Sequence, residues 1–288
     1  SVPERATIAN MGAELGATTS VFPSDEVTKR FLAAQGRESD WQELSADDDA
    51  RYSEEITIDL SDLVPLVAKP HMPDNVDTVE AVGQIKVDQV FIGSCTNSSF
   101  YDMMTTAAVL KGKTVHPDVS LVIGPGSKQV LNMLAANGAL ADMIAAGARI
   151  LESACGPCIG MGQAPRSNAI SLRTNNRNFE GRSGTANAKI FIVSPQTATA
   201  SALSGVLQDP RTLGKAPKVE MPKSFLVNDN MIDPPAEDGA AVEIVRGSNI
   251  KPFPVNVELE ASLEGKALIK VGDNITTDHI MPSNAKLL

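Results

Sequence analysis

Short apolar, β-branched runs punctuate the chain, each followed by small or Pro-bearing residues and then, in most cases, by a stretch with helical spacing. Residues 87–92 (VDQVFI) end in Gly-Ser, and 100–111 after them read as a helix with Asn97, Ser98 or Ser99 as N-cap. The pattern repeats at 120–123, then Gly-Pro-Gly and a helix over 127–137; at 149–152, then a Cys-Gly-Pro-Cys turn; and at 189–193, then Ser-Pro and a helix to 204. Alternating strands and helices predict an α/β fold, a three-layer α/β/α arrangement around a mostly parallel sheet. Ligands of such sheets gather beyond the carboxyl ends of the strands. The loops at 95, 155 and 176–182 fall there. Residues 1–79 read as less orderly, with one helix at 25–34, an acidic patch at 47–49 and a Pro-bearing stretch at 65–73. Prolines and charges make 208–254 linker-like, and 268–279 (LIKVGDNITTDH) reads as the opening of another domain.

Composition narrows the classes. At 288 residues and 42% hydrophobic, the chain has the apolar material for a packed core, and no apolar run approaches the roughly 20 residues that span a bilayer. A net charge of −10 without a basic stripe argues against nucleic acid as the main partner. The first residues show neither a secretion signal nor a transit pattern, so a cytoplasmic or organelle-matrix setting is expected.

The chemistry lies in three cysteines. Cys155 and Cys158 form C-x2-C within Ala-Cys-Gly-Pro-Cys-Ile-Gly, and Cys95 precedes them in Gly-Ser-Cys-Thr-Asn-Ser. Small residues let backbone approach a bulky inorganic centre, and loop N–H groups can donate to its sulfurs. Free thiols with a chance CxxC are the plain alternative. Zinc needs a fourth ligand, and His71, His116 and His279 show no fitting spacing; a redox pair leaves Cys95 unused. Three thiolates suit an iron-sulfur cube with one iron free of protein, and that iron is a Lewis acid.

Three stretches, Gly93-Ser94-Cys95-Thr96-Asn97-Ser98, Ala154-Cys155-Gly156-Pro157-Cys158-Ile159-Gly160 and Asn176-Arg177-Asn178-Phe179-Glu180-Gly181-Arg182, resemble the signatures of the aconitases. The stretch from Asn10 to Thr19 and Thr276-Thr277-Asp278-His279-Ile280 resemble further family segments, in the family's order. The resemblance implies that Cys95, Cys155 and Cys158 ligate a 4Fe-4S cluster whose open iron binds citrate or isocitrate. The implied reaction interconverts these through cis-aconitate by dehydration and rehydration, as in the tricarboxylic acid cycle. It further implies proton handling by Glu14, substrate binding by Arg177 and Arg182, and placement of Asn10 and Asn176 beside the cluster. Asp278 is a catalytic candidate at the entry of the swivel domain.

The same residues have plainer readings. Arg177 and Arg182 flank a tight turn and could simply be solvated, although two guanidinium forks suit a polycarboxylate. Glu14 could be a helix-surface acid, and Asn10 and Asn176 turn formers. Gly124-Pro125-Gly126 is at most a weak anion signal. The expected division is 1–80 as the end of one α/β domain plus a connection, 81–207 as the cluster-bearing domain, 208–262 as extension and linker, and 263–288 as the start of the swivel. On this reading the chain is an internal fragment, inactive alone, of a monomeric parent. The rivals are homoaconitate or 3-isopropylmalate isomerases, an iron-responsive RNA-binding regulator, and a metal-storage module.

Overall fold

The computed structural model describes residues 1–275 and 277–280. They divide into a large unit, Ser1–Val227, and a small one, Asn228–Pro282. In the large unit the order is α1 (Val2–Glu14), α2 (Glu26–Ala34), β1 (Leu66–Ala68), β2 (Val76–Thr78), α3 (Val79–Val82), β3 (Gln89–Ile92), α4 (Phe100–Leu110) and β4 (Ser120–Ile123). It continues with α5 (Lys128–Ala136), α6 (Ala139–Ala145), β5 (Arg149–Ile150), β6 (Ile170–Arg173), β7 (Lys189–Val193) and α7 (Pro195–Ser204).

Seven strands form one sheet in the order β2-β1-β7-β6-β3-β4-β5. β3 to β7 run parallel, and β1 joins β7 and β2 antiparallel. The mostly parallel α/β fold is therefore as the alternation predicts. From β3 the chain proceeds outward to β4 and β5, then returns to the other side of β3 as β6. This puts the switch point of the sheet between β3 and β6.

Side chains alternate across each strand. Val90 and Ile92 of β3, Leu121 and Ile123 of β4, Leu172 of β6, and Phe191 and Val193 of β7 share one core with α4, α5, α6 and α7. On the opposite face Phe91 and Val122 meet Cys158 and Leu151. The turn holding the CxxC pair thus packs directly on the sheet.

Local signals explain the ends. Ser99 and Asp102 form a reciprocal capping box on α4, Ser127 and Ser194 cap α5 and α7, and Asp25 caps α2. Four expectations change. The segment 1–79 contains α1, which opens with a capping box between Ser1 and Glu4, and the antiparallel strands β1 and β2, with β2 at the sheet edge. β6 was not anticipated, because Ser171 and Arg173 break its apolar run. α6 begins at Gly138, which has φ 83° and makes no side-chain cap, so no signal marked it. The proline-bearing stretch after 208 begins packed: the Phe225 N–H donates to the Ala34 carbonyl at 2.8 Å, and its ring meets Phe31 and Phe100 edge-on. Among its described residues the small unit carries a 3-10 turn, Gly239–Ala241, and a short α-helix, Thr277–Ile280. Among the described residues no helix is long and apolar enough to cross a membrane.

Candidate metal centre

Cys95 follows β3 in a loop that turns sharply at Ser94, whose φ is 78°. The loop is clasped to the end of β6, since the Gly93 N–H donates to Thr174 Oγ1 and that hydroxyl donates back to the Gly93 carbonyl, both at 2.9 Å. Asn97 Nδ2 adds a bond to the Thr174 carbonyl at 2.8 Å. The two loops of the switch point are in this way fixed to each other by paired polar contacts, each worth about 1 kcal/mol. Gly124-Pro125-Gly126 packs against the Cys95 loop, the Gly126 N–H donating to the Ser98 carbonyl at 3.1 Å. A Cβ on Gly126 would lie 2.7 Å from the Ser98 carbonyl oxygen, so the glycine permits loop-to-loop packing.

Cys155 and Cys158 straddle the start of a 3-10 turn, Gly156–Ile159. Cys158 is buried, whereas Cys95 and Cys155 are exposed, and all three are free thiols. The turn closes at Gly160, whose φ is 92° and where any side chain would strike the backbone of Ser183. Ser183 in turn donates from Oγ to the Cys158 carbonyl at 3.2 Å. Burial first, then the neighbouring Cys155 and Cys95, push the Cys158 thiol up to about 12 against the opposing influence of Arg173 and Arg182. These mutual influences place the three cysteines and Arg182 in one neighbourhood.

α1 supplies the facing wall. It buries no residue and docks through polar side chains on one face, Thr7, Asn10 and Glu14, spaced at i, i+3 and i+7. Thr7 Oγ1 donates to the Thr96 carbonyl at 2.7 Å, and Asn10 Nδ2 donates to Cys95 Sγ at 3.4 Å. Asn176 Nδ2 donates to Asn10 Oδ1 at 2.8 Å and to Glu14 Oε1 at 3.3 Å. Arg177 Nε donates to the same Glu14 oxygen at 2.8 Å, and the Glu14 side chain is only 7% exposed. Asn10, Glu14, Cys95, Asn176 and Arg177 are therefore joined in a single network. The Asp278 side chain lies outside the described residues.

The donor set fits an iron-sulfur cluster on two counts. An amide is aimed at a cysteine sulfur, as in the outer shell of a metal centre. Asn175, buried in the loop after β6 and next in sequence to Asn176, has neither Nδ2 nor Oδ1 hydrogen-bonded within the protein, an unmet polar demand beside the network. Among the described residues no three His, Cys, Asp or Glu side chains close on one metal ion. A mononuclear site would hold its sulfurs about 3.8 Å apart, but each thiolate of a cube binds a different iron and the three need not meet at a point.

Sequence reasoning missed Arg173, Thr174 and Thr7. Arg173 had a signal, a charge inside an apolar strand run; Thr174 and Thr7 had none, because a threonine clasp is visible only in three dimensions.

Thiol chemistry provides a direct check. In the metal-free chain at about pH 8, iodoacetamide will modify Cys95 and Cys155 well before Cys158, because only the thiolate attacks and the Cys158 thiolate is suppressed by burial. The gap should narrow as pH rises toward 12. Peptide mass mapping over time tests this; equal rates at pH 8 would contradict it.

Fold and site together define an α/β protein built on a mostly parallel sheet, with cysteine-bearing loops at its switch point. Residues 1–205 match the family model described as aconitase family (aconitate hydratase). The chain belongs to the aconitase family. It is 45% identical over 212 residues to the 3-isopropylmalate dehydratase large subunit 2 of Archaeoglobus fulgidus, covering 73% of this chain and 51% of that protein. It is 45% identical over 215 residues to large subunit 1 of Thermotoga maritima, with the same coverage, and 41% identical over 212 residues to the large subunit of Caldanaerobacter subterraneus, covering 73% and 50%. The chain spans about half the length of these curated relatives.

Proposed function

We propose that this chain is the cluster-bearing part of an aconitase-family hydro-lyase that removes and restores water on a hydroxylated polycarboxylate, with 3-isopropylmalate as the substrate. The observation that carries the reading is the network joining Cys95 through Asn10 and Asn176 to the Glu14–Arg177 ion pair. The names of the relatives support 3-isopropylmalate over citrate, the reverse of the sequence-based preference. Being named large subunits, they also support a separate small-subunit partner in place of a monomeric parent.

A 4Fe-4S cluster on Cys95, Cys155 and Cys158 would supply a Lewis-acid iron that stabilises charge on a departing hydroxyl oxygen. The chain's own residues do the rest of the local work. Glu14 is held in one orientation by Arg177 and Asn176, as a proton-transfer carboxylate must be. Arg177, by pairing with Glu14, keeps a guanidinium within the site, and Arg182 adds a second positive charge near Cys158. Two such groups suit the carboxylates of the substrate. Asn10 orients Cys95 by donating to its sulfur.

One observation favours citrate as a second reading. The chain continues beyond the family match at 205 into a unit with Thr277-Asp278-His279, resembling the entry of a swivel domain in a single-chain enzyme. Titrating the anaerobically reconstituted, reduced chain with each acid separates the two. The 3-isopropylmalate reading expects this compound to shift the cluster's EPR signal at concentrations at least about tenfold below citrate; the opposite order overturns it in favour of citrate.

A further inference from the structure

Arg173, the last residue of β6, is fully buried, and a buried guanidinium normally has a carboxylate partner. Here every acceptor is neutral. Nε donates to Ser171 Oγ at 3.1 Å, Nη1 to the Pro157 carbonyl at 2.7 Å, and Nη2 to Gln89 Oε1 at 2.8 Å and the Gln163 carbonyl at 2.9 Å. The ring of Phe91 lies 5.5 Å below the guanidinium carbon. These contacts satisfy the hydrogen-bonding atoms but leave the charge uncompensated, and an uncompensated buried charge costs several kcal/mol.

The position of the cation identifies what could offset it. Two of its bonds go to Pro157, between Cys155 and Cys158, and to Gln163, at the end of the same loop. A thiolate-ligated cube carries net negative charge, because three thiolates outweigh a dipositive core. We propose that Arg173 is the fixed counter-charge of the cluster site, a positioning residue that holds the cysteine turn from beneath and stabilises the bound anionic centre. The inference rests on the cluster reading above and adds to it a residue that touches neither cluster nor substrate. Cys158 and Arg173 also influence each other electrostatically, as this arrangement requires.

A purely structural role and a counter-charge role differ in a measurable way. If Arg173 only ties down carbonyls, Arg173→Met weakens the metal-free and loaded chains alike. If it is also the counter-charge, Arg173→Met lowers the melting temperature of the loaded chain by more than that of the metal-free chain, since only the loaded chain has an anionic centre that loses its cation. The loaded chain then releases iron to a chelator roughly 10–100-fold faster than wild type, and its reduction potential moves negative. Arg173→Lys keeps the charge but not the fork, and should retain the wild-type potential. The experiment uses the full 288-residue chain, anaerobically reconstituted, with iron counting, EPR-monitored redox titration and thermal melts of the metal-free and loaded forms. Wild type that binds a cluster while both variants match its potential and release rate overturns the proposal alone. A potential in Arg173→Lys clearly negative of wild type also overturns it, and this arm stands even if the methionine variant does not fold. Wild type without iron overturns the cluster reading and this proposal with it.

Discussion

Replacing Cys155 by serine will take the reconstituted chain from about four irons to fewer than one. The size of the effect follows from ligand chemistry and from where the residue sits. A serine hydroxyl stays protonated at neutral pH and binds iron poorly, while two remaining thiolates cannot hold three corners of a cube. Cys155 is exposed and its sulfur packs against no core residue, so the substitution leaves the sheet and its helices intact. Iron and sulfide analysis alongside an unchanged circular dichroism spectrum would separate loss of the ligand from loss of the fold. Retention of four irons would remove Cys155 from the ligand set and return the CxxC pair to ordinary loop chemistry.

Truncating Phe91 to alanine should cost about 3–5 kcal/mol of folding stability. Phe91 is 1% exposed and fills the space between the sheet, Val122, Leu151 and Cys158, with Arg173 above its ring. Among the described residues no other aromatic ring belongs to this small second core, into which Cys158 of the cysteine turn packs. The cavity would therefore open directly beneath the CxxC pair. Denaturant melts should show a lower midpoint with an unchanged slope. A loss below about 1 kcal/mol would mean that the turn collapses into the void, and the view of Phe91 as its platform would fall.

The sheet strands with unbroken apolar character, β3, β4 and β7, were readable in the sequence almost to the residue, because burial on both faces leaves a run without polar interruption. β6 was hidden by Ser171 and Arg173, which face the cysteine turn and would look wrong in any buried strand considered alone. α1 was hidden for the opposite reason. It buries nothing apolar, so it has no hydrophobic stripe, and its docking face of Thr7, Asn10 and Glu14 resembles solvent-facing polarity until its partners are seen. The cysteines, Asn176 and Arg177 were legible as candidates because their spacing and small-residue context are chemically unusual. That Glu14 pairs with Arg177 across 163 residues could not be read, since nothing local encodes it.

The clasp between Gly93 and Thr174 joins residues 81 apart, and β3 cannot acquire its β6 neighbour until that later strand exists. During synthesis at about 5–20 residues per second, Cys95 leaves the peptidyl-transfer centre roughly 4–16 s before Thr174. Until the CxxC turn and then the β6 loop have been made, its thiol lacks their shielding, and α1 is the element already made whose Asn10 reaches its sulfur. The nascent chain is therefore most vulnerable to oxidants in the window between its first cysteine and its sixth strand, and on the cluster reading proposed above no centre can be completed before Cys158 is made.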